Sequence, residues 1–147
     1  MTAPVSVKLL DSRAKLPAYG SAGAAGADLY ALTDGPVEIA PGGTALIRTG
    51  IAVAVPQGYV GLVYARSGLA CKRGIAPANK VGVIDADYRG EVMVYLHNHG
   101  AQPQAVEDGE RVAQLVITPC LTAQFQVADE LDGTERGSGG FGSTGKR

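Results

Sequence analysis

The chain has 147 residues, a formal net charge of −1, and 46% hydrophobic against 5% aromatic residues. That length predicts one domain able to bury a core without metal or disulfide staples. The near-neutral charge argues against a general nucleic-acid or membrane-surface binder, while a small anionic ligand held by a few arginines stays open. The two cysteines, Cys71 and Cys120, make neither a disulfide framework nor a zinc cluster and are expected to be reduced thiols. Met1 to Asp11 lacks a basic start followed by a long apolar run, so no signal peptide is expected. No window approaches the length of a membrane span, which makes the cytoplasm the default location.

The apolar segments are short and rich in β-branched residues. In chain order, strands are expected at Val5 to Leu10, Ala45 to Val55, Tyr59 to Tyr64, Val81 to Ile84, Glu91 to Leu96, Arg111 to Leu121 and Gln124 to Val127. Turn formers punctuate them: Asp34-Gly35-Pro36, Pro41-Gly42-Gly43, Pro56-Gln57-Gly58, His99-Gly100 and Glu107-Asp108-Gly109. Short strands with regular turns read as an all-β sandwich or barrel. One short helix is expected from Ser67 to Arg73, with Ser67 as its N-cap and Gly74 closing it. Gly133 onward is glycine- and serine-rich and reads by composition as a disordered tail or a ligand-closing arm.

The chemistry centres on Gly82-Val83-Ile84-Asp85-Ala86-Asp87-Tyr88-Arg89-Gly90-Glu91-Val92. An apolar strand delivers Asp85 at its end, which is a rigid way to hold a base. If the chain stays extended there, Asp85 and Asp87 face one side; a turn would separate them. A plain hairpin turn is the competing reading, because Asp and Gly are ordinary turn residues. Arg66-Ser67-Gly68, where a strand meets the helix, offers a guanidinium and a hydroxyl to an anion, or simply a capped helix with a solvated arginine. Asn79 carries an amide able to read a base edge, or to serve a turn. Asp28 lies between small and apolar residues, in a turn or near a metal. Arg111 and Gln114 interrupt an apolar strand, facing solvent or ligand. His97 and His99 lack a third ligand and receive no role.

Two glycine patterns in the tail, Gly137-x-Gly139-x-x-Gly142 and Gly140-x-x-x-x-Gly145-Lys146, are rejected as dinucleotide and phosphate loops. Both need a preceding strand and a following helix. A glycine-rich run can still wrap backbone N–H groups around phosphate oxygens. Phe141 could stack on a base or a sugar.

Five ordered segments together resemble the motifs of the homotrimeric dUTPase family. They are Ala25-Gly26-Ala27-Asp28-Leu29, Arg66-Ser67-Gly68-Leu69-Ala70, Gly82 to Glu91, Gly109-Glu110-Arg111-Val112-Ala113-Gln114, and Arg136 to Gly145. One departure is Ala65, where the family usually has proline. The resemblance implies a distorted, jelly-roll-like β-barrel over residues 1–132, and a flexible arm, 133–147, closing over a neighbouring subunit's site in a trimer. It implies hydrolysis of dUTP to dUMP and pyrophosphate, which supplies dUMP for dTMP synthesis and keeps uracil out of DNA. Asp85 would activate the water that attacks the α-phosphorus. Asn79, the backbone of Val83, Ile84 and Asp85, and Met93 would read uracil, and Tyr88 would stack on the deoxyribose. Arg66, Ser67, Gly68 and Gln114 would hold phosphates. Arg136, Gly142, Ser143 and Thr144 would grip the terminal phosphate, with Phe141 stacked on uracil. Mg2+ would ride on the triphosphate and reach Asp28 through water.

Two alternatives accompany that reading. A dCTP deaminase on the same fold would do its chemistry at the base ring, and it generally lacks both the Asp-x-Asp-Tyr stretch and the glycine-phenylalanine arm. A non-catalytic nucleotide-binding trimer would keep the pocket without turnover, against which stand Asp85 and the complete arm.

Overall fold

Alternating apolar and polar residues build the longest strands of the computed structural model, which describes residues 4–140. In one four-stranded antiparallel sheet, β1 (Ser6–Leu9) pairs with β5 (Thr44–Ala54), β5 with β9 (Glu91–Asn98), and β9 with β7 (Ile75–Pro77). A five-stranded sheet runs β2 (Ala18–Tyr19), β3 (Ala27–Tyr30), β11 (Arg111–Pro119), β6 (Tyr59–Tyr64) and β8 (Gly82–Ile84). β4 (Val37–Ile39) and β10 (Gln104–Val106) form a separate two-stranded ribbon.

The two larger sheets bury facing sides. Along β9, Val92, Val94 and Leu96 are buried while Met93 and Tyr95 point out. Ile47, Ile51 and Val53 of β5 join them in one core with Leu29, Val63, Val112 and Leu115 of the other sheet. Each such side chain contributes about 1.5–3 kcal/mol by leaving water. The architecture is therefore the all-β, jelly-roll-like one expected. Its hydrogen bonds, among the described residues, run in separate sheets rather than around one closed barrel.

β5 is interrupted by a bulge. Its register against β9 shifts between Arg48 and Ala52. Gly50 sits there at φ +69°, and a Cβ on it would lie 2.5 Å from Leu32 Cδ2. Both the backbone angle and the space call for glycine at this position.

Among the described residues α1 (Ser67–Arg73) is the only helix, ended by Gly74 in the left-handed conformation. The cap differs from expectation. Arg66, still extended, occupies the N-cap position without a side-chain cap, and Ser67 is already helical. The helix is held by burial of Leu69 and, at its other end, by Arg73. That guanidinium pairs with Glu110 and donates to Gln104 and to the carbonyl of Ala105.

Gln124 to Val127, expected as a strand, is not one. Residues 120–128 join no sheet, and Phe125 and Val127 are almost fully exposed. The alternation is genuine, but among the described residues no neighbouring strand offers a ladder, and an unpaired strand is unstable in water. Five strands of two to four residues, β2, β3, β4, β7 and β10, escaped the sequence reading because they are too short to show a period. No helix among the described residues is long and apolar enough to cross a membrane.

Candidate active site

β8 ends at Ile84 and a turn follows at once, with the Tyr88 amide donating to the carbonyl of Asp85 at 3.1 Å. The extended option for Asp85 and Asp87 is thereby excluded. Asp85 borders a cavity of about 260 Å³ and Asp87 does not. All six residues expected to read base and sugar or to act on water, Asn79, Val83, Ile84, Asp85, Tyr88 and Met93, border that cavity. They come from the loop before β8, from β8, from the turn, and from the start of β9.

Two glycines shape this hairpin. A Cβ on Gly82 would lie 3.1 Å from Val63 Cβ, so glycine lets β8 sit tightly on β6. A Cβ on Gly90 would lie 2.3 Å from the Tyr88 hydroxyl oxygen, so the tyrosine ring folds back over a bare backbone. Its hydroxyl donates to the carbonyl of Glu91 at 3.0 Å.

A second cavity, of about 430 Å³, lies between β1, β2 and β11 and is lined by Val7, Leu16, Tyr19, Val53, Leu115 and Ile117 among others. It borders no carboxylate, whereas the first is bordered by Asp85 and Glu91.

The expected phosphate ligands gather elsewhere. Asp28 is buried in β3. Its Oδ1 accepts from Arg66 Nε at 2.7 Å and its Oδ2 from Arg111 NH1 at 3.2 Å. Arg66 NH1 also donates to the carbonyl of Arg111, at 3.4 Å. Two guanidiniums around one carboxylate leave a net positive charge. Gln114 on β11 donates to the carbonyl of Ala65 at 2.8 Å. Gly26 makes room for that amide: a Cβ there would lie 2.4 Å from Gln114 Oε1. Ser67 and Gly68, exposed on the first turn of α1, complete this group. None of Arg66, Ser67, Gly68 and Gln114 borders the cavity.

The separation follows from register. On β6, Gln114 pairs with Tyr64 on one side, while Ile84 pairs with Gly61 on the other. Asp85 therefore leaves the sheet beside the start of β6, and Arg66 follows its end. Four residues of strand, roughly 13 Å at about 3.3 Å per residue, lie between the two ends.

Arg136 is exposed and donates to the carbonyl of Gly139 at 2.9 Å, a contact within its own turn. Phe141, Gly142, Ser143 and Thr144 lie outside the described residues. No group of three or more His, Cys, Asp or Glu side chains converges among the described residues. Both oxygens of Asp28 already accept from arginines.

Arg111 was visible in the sequence only as a polar interruption of an apolar strand. Its partnership with Asp28 joins residues 83 apart in sequence, and no local pattern reports such a pairing. The contacts of the Glu91 carboxylate with Arg48 and the Gly50 amide also join residues far apart in sequence and went unread.

Other proteins resemble this chain over nearly their whole length. A model of the dUTPase family matches residues 12–145. A deoxyuridine 5'-triphosphate nucleotidohydrolase of Syntrophotalea carbinolica is 51% identical over 144 residues, covering 98% of each chain. One of Desulfitobacterium hafniense is 53% identical over 136 residues, covering 92% of this chain and 90% of the other. Among solved structures, the Staphylococcus bacteriophage 80alpha dUTPase with dUpNHpp superposes with a TM-score of 0.89 at 31% identity, covering 98% of this chain and 99% of that one. The hairpin cavity, the arginine-flanked aspartate and these whole-length likenesses lead to one assignment: the chain belongs to the dUTPase family.

Proposed function

We propose that the protein hydrolyses dUTP to dUMP and pyrophosphate, and that Asp85 is its general base. The observation that carries this reading is the hairpin cavity. It is bordered by Asp85, by Val83 and Ile84 of β8 and by Tyr88, while its other carboxylate, Glu91, is already engaged by Arg48 and the Gly50 amide.

In this reading Asp85 takes a proton from a water as that water attacks the α-phosphorus. The bond from the α-phosphorus to the bridging oxygen breaks, and pyrophosphate leaves. A positioned general base is worth about 10²–10⁴ in rate. Asn79 and the β8 backbone hold uracil in a cavity of about 260 Å³, and Tyr88 stacks on the deoxyribose where a 2'-hydroxyl would intrude. Arg66, Ser67, Gly68 and Gln114 bind the phosphates, and Arg136 with Phe141 to Thr144 closes over them. Magnesium carried by the triphosphate would neutralise its charge and make pyrophosphate a better leaving group, and Asp28 would hold it through water. A structural Mg(II) ion is described in a dUTPase from phage phi11 of S. aureus, to which this chain is 27% identical with a TM-score of 0.78.

The base and the phosphate ligands lie at opposite ends of β6 within one chain. This supports sites assembled between copies, with the cavity of one facing the arginines of the next. A homotrimer of domains spanning 1–132, each lending its arm 133–147 to a neighbour, satisfies that geometry. The exposed apolar residues Leu121, Phe125 and Val127 support contact between copies as well. A cytoplasmic location completes the reading.

The test is pyrophosphate release from dUTP, dTTP, dCTP and UTP, each with magnesium and with a chelator. Release from dUTP alone, lost on chelation, is expected. Ammonia release from dCTP would move the chain to deaminase chemistry, and tight dUTP binding without release would leave a binding protein.

A further inference from the structure

We propose that Glu91, clamped by the bulge of β5, is a positioning residue that fixes Tyr88 and thereby sets the sugar side of the cavity. The inference rests on the dUTP reading for its substrate and on the geometry of this chain for its mechanism.

The clamp has three arms, all from the bulge. Both oxygens of the Glu91 carboxylate accept from Arg48 Nε, at 3.2 and 3.1 Å, and one of them also accepts from the Gly50 amide at 2.8 Å. Between those two donors, the buried Thr49 hydroxyl donates to the carbonyl of Val92. The register shift between Arg48 and Ala52 removes regular ladder bonds at this point. These contacts hold the start of β9 in their place. The bulge is itself pinned. The carbonyl of Gly50 accepts from the Leu10 amide at 2.8 Å, and Leu32 and Ala14 press on Gly50 where a Cβ would sit.

The other end of Glu91 reaches the cavity. Its carbonyl is the acceptor of the Tyr88 hydroxyl, and the residue, with a side chain only 15% exposed, borders the same cavity as Tyr88. The loop from Asp85 to Gly90 is thus anchored at one side by β8 on β6 and at the other by this carboxylate. Without the clamp, Glu91 and Val92 keep their peptide bonds but lose the contacts that fix where the Tyr88 acceptor lies. A displaced ring leaves room for a 2'-hydroxyl.

The experiment compares Glu91→Ala, Glu91→Gln, Arg48→Met and Tyr88→Phe. KM and kcat are measured on dUTP and UTP, and amide hydrogen exchange is measured on the nucleotide-free protein. Glu91→Ala is expected to lower the preference for dUTP over UTP on the order of tenfold, the loss of one charge-assisted contact, mainly through KM for dUTP. Glu91→Gln, which keeps an acceptor for Gly50, is expected to recover part of it, and Arg48→Met to fall between. Glu91→Ala combined with Tyr88→Phe is expected to cost less than the sum of the two, because both act through one contact. Exchange is expected to quicken at Gly50 and from Ala86 to Val92, with Val94 and Leu96 unchanged. Unchanged selectivity in Glu91→Ala, or full additivity with Tyr88→Phe, would overturn the proposal. If the unaltered protein hydrolyses no dUTP, the functional reading falls separately. The exchange pattern then decides the clamp alone: quickening confined to these amides upholds it, and uniform quickening or none overturns it.

Discussion

The hairpin cavity and the arginine cluster around Asp28 serve the same substrate in our reading, yet they are built in opposite ways. The cavity residues expected to meet nucleoside and water fall between Asn79 and Met93, on two strands, the turn joining them and the loop before the first. The cluster draws Asp28 from β3, Arg66 from the entry to α1, and Arg111 and Gln114 from β11. The first is a local device, shaped by glycines that let a ring and a strand approach. The second exists only once distant strands have paired. A local site tolerates changes elsewhere in the sheet, and an assembled one depends on register. The comparison also predicts a division of labour, with chemistry and base reading in the hairpin and charge in the cluster.

The largest expected effect tests the hairpin's half of that division. Asp85→Asn should lower kcat by about 10²–10⁴ and leave the affinity for a non-hydrolysable dUTP analogue nearly intact. Near-normal turnover would remove Asp85 as the base. Deleting residues from Arg136 onward should lower kcat/KM by about a hundredfold, the scale of losing charge-stabilising donors, while thermal unfolding stays where it was. An unchanged rate would make the arm dispensable.

Arg66→Gln should separate the two regions most directly. It removes a cation from the cluster, so KM for dUTP should rise by about ten- to a hundredfold, the scale of a charged hydrogen bond, with a smaller change in kcat. A fall in kcat alone would mean that the cluster acts on the transition state rather than on binding. Last, Tyr88→Ala should reduce discrimination against UTP by about tenfold without altering the pH dependence of kcat. Unchanged selectivity would move sugar recognition away from the hairpin, and the clamp on Glu91 with it.

The difference between the two regions also decides what could be read in advance. The helix from Ser67 to Arg73 and the strands at Tyr59 to Tyr64, Val81 to Ile84 and Glu91 to Leu96 were legible because apolar spacing and turn residues act locally. The cavity was legible for the same reason, since its parts are adjacent in the chain. Arg66 as N-cap in place of Ser67 was not legible: it makes no side-chain cap, and its guanidinium is held by Asp28, 38 residues away. Gln124 to Val127 carried the right alternation and formed no strand, because a ladder needs a partner and the described residues supply none there.

By itself, then, the sequence determined a β-rich chain, one short helix, the hairpin that presents Asp85, and through five ordered motifs the family. Tertiary structure alone decided that Asp28 is an ion-pair anchor for Arg66 and Arg111, that Glu91 is held by the bulge of β5, and that Asp85 and Arg66 stand at opposite ends of β6. The physical reason is range. Turn preference and alternation act over a few residues, whereas ion pairs and register join residues tens of positions apart once hydrophobic burial has brought the sheets together.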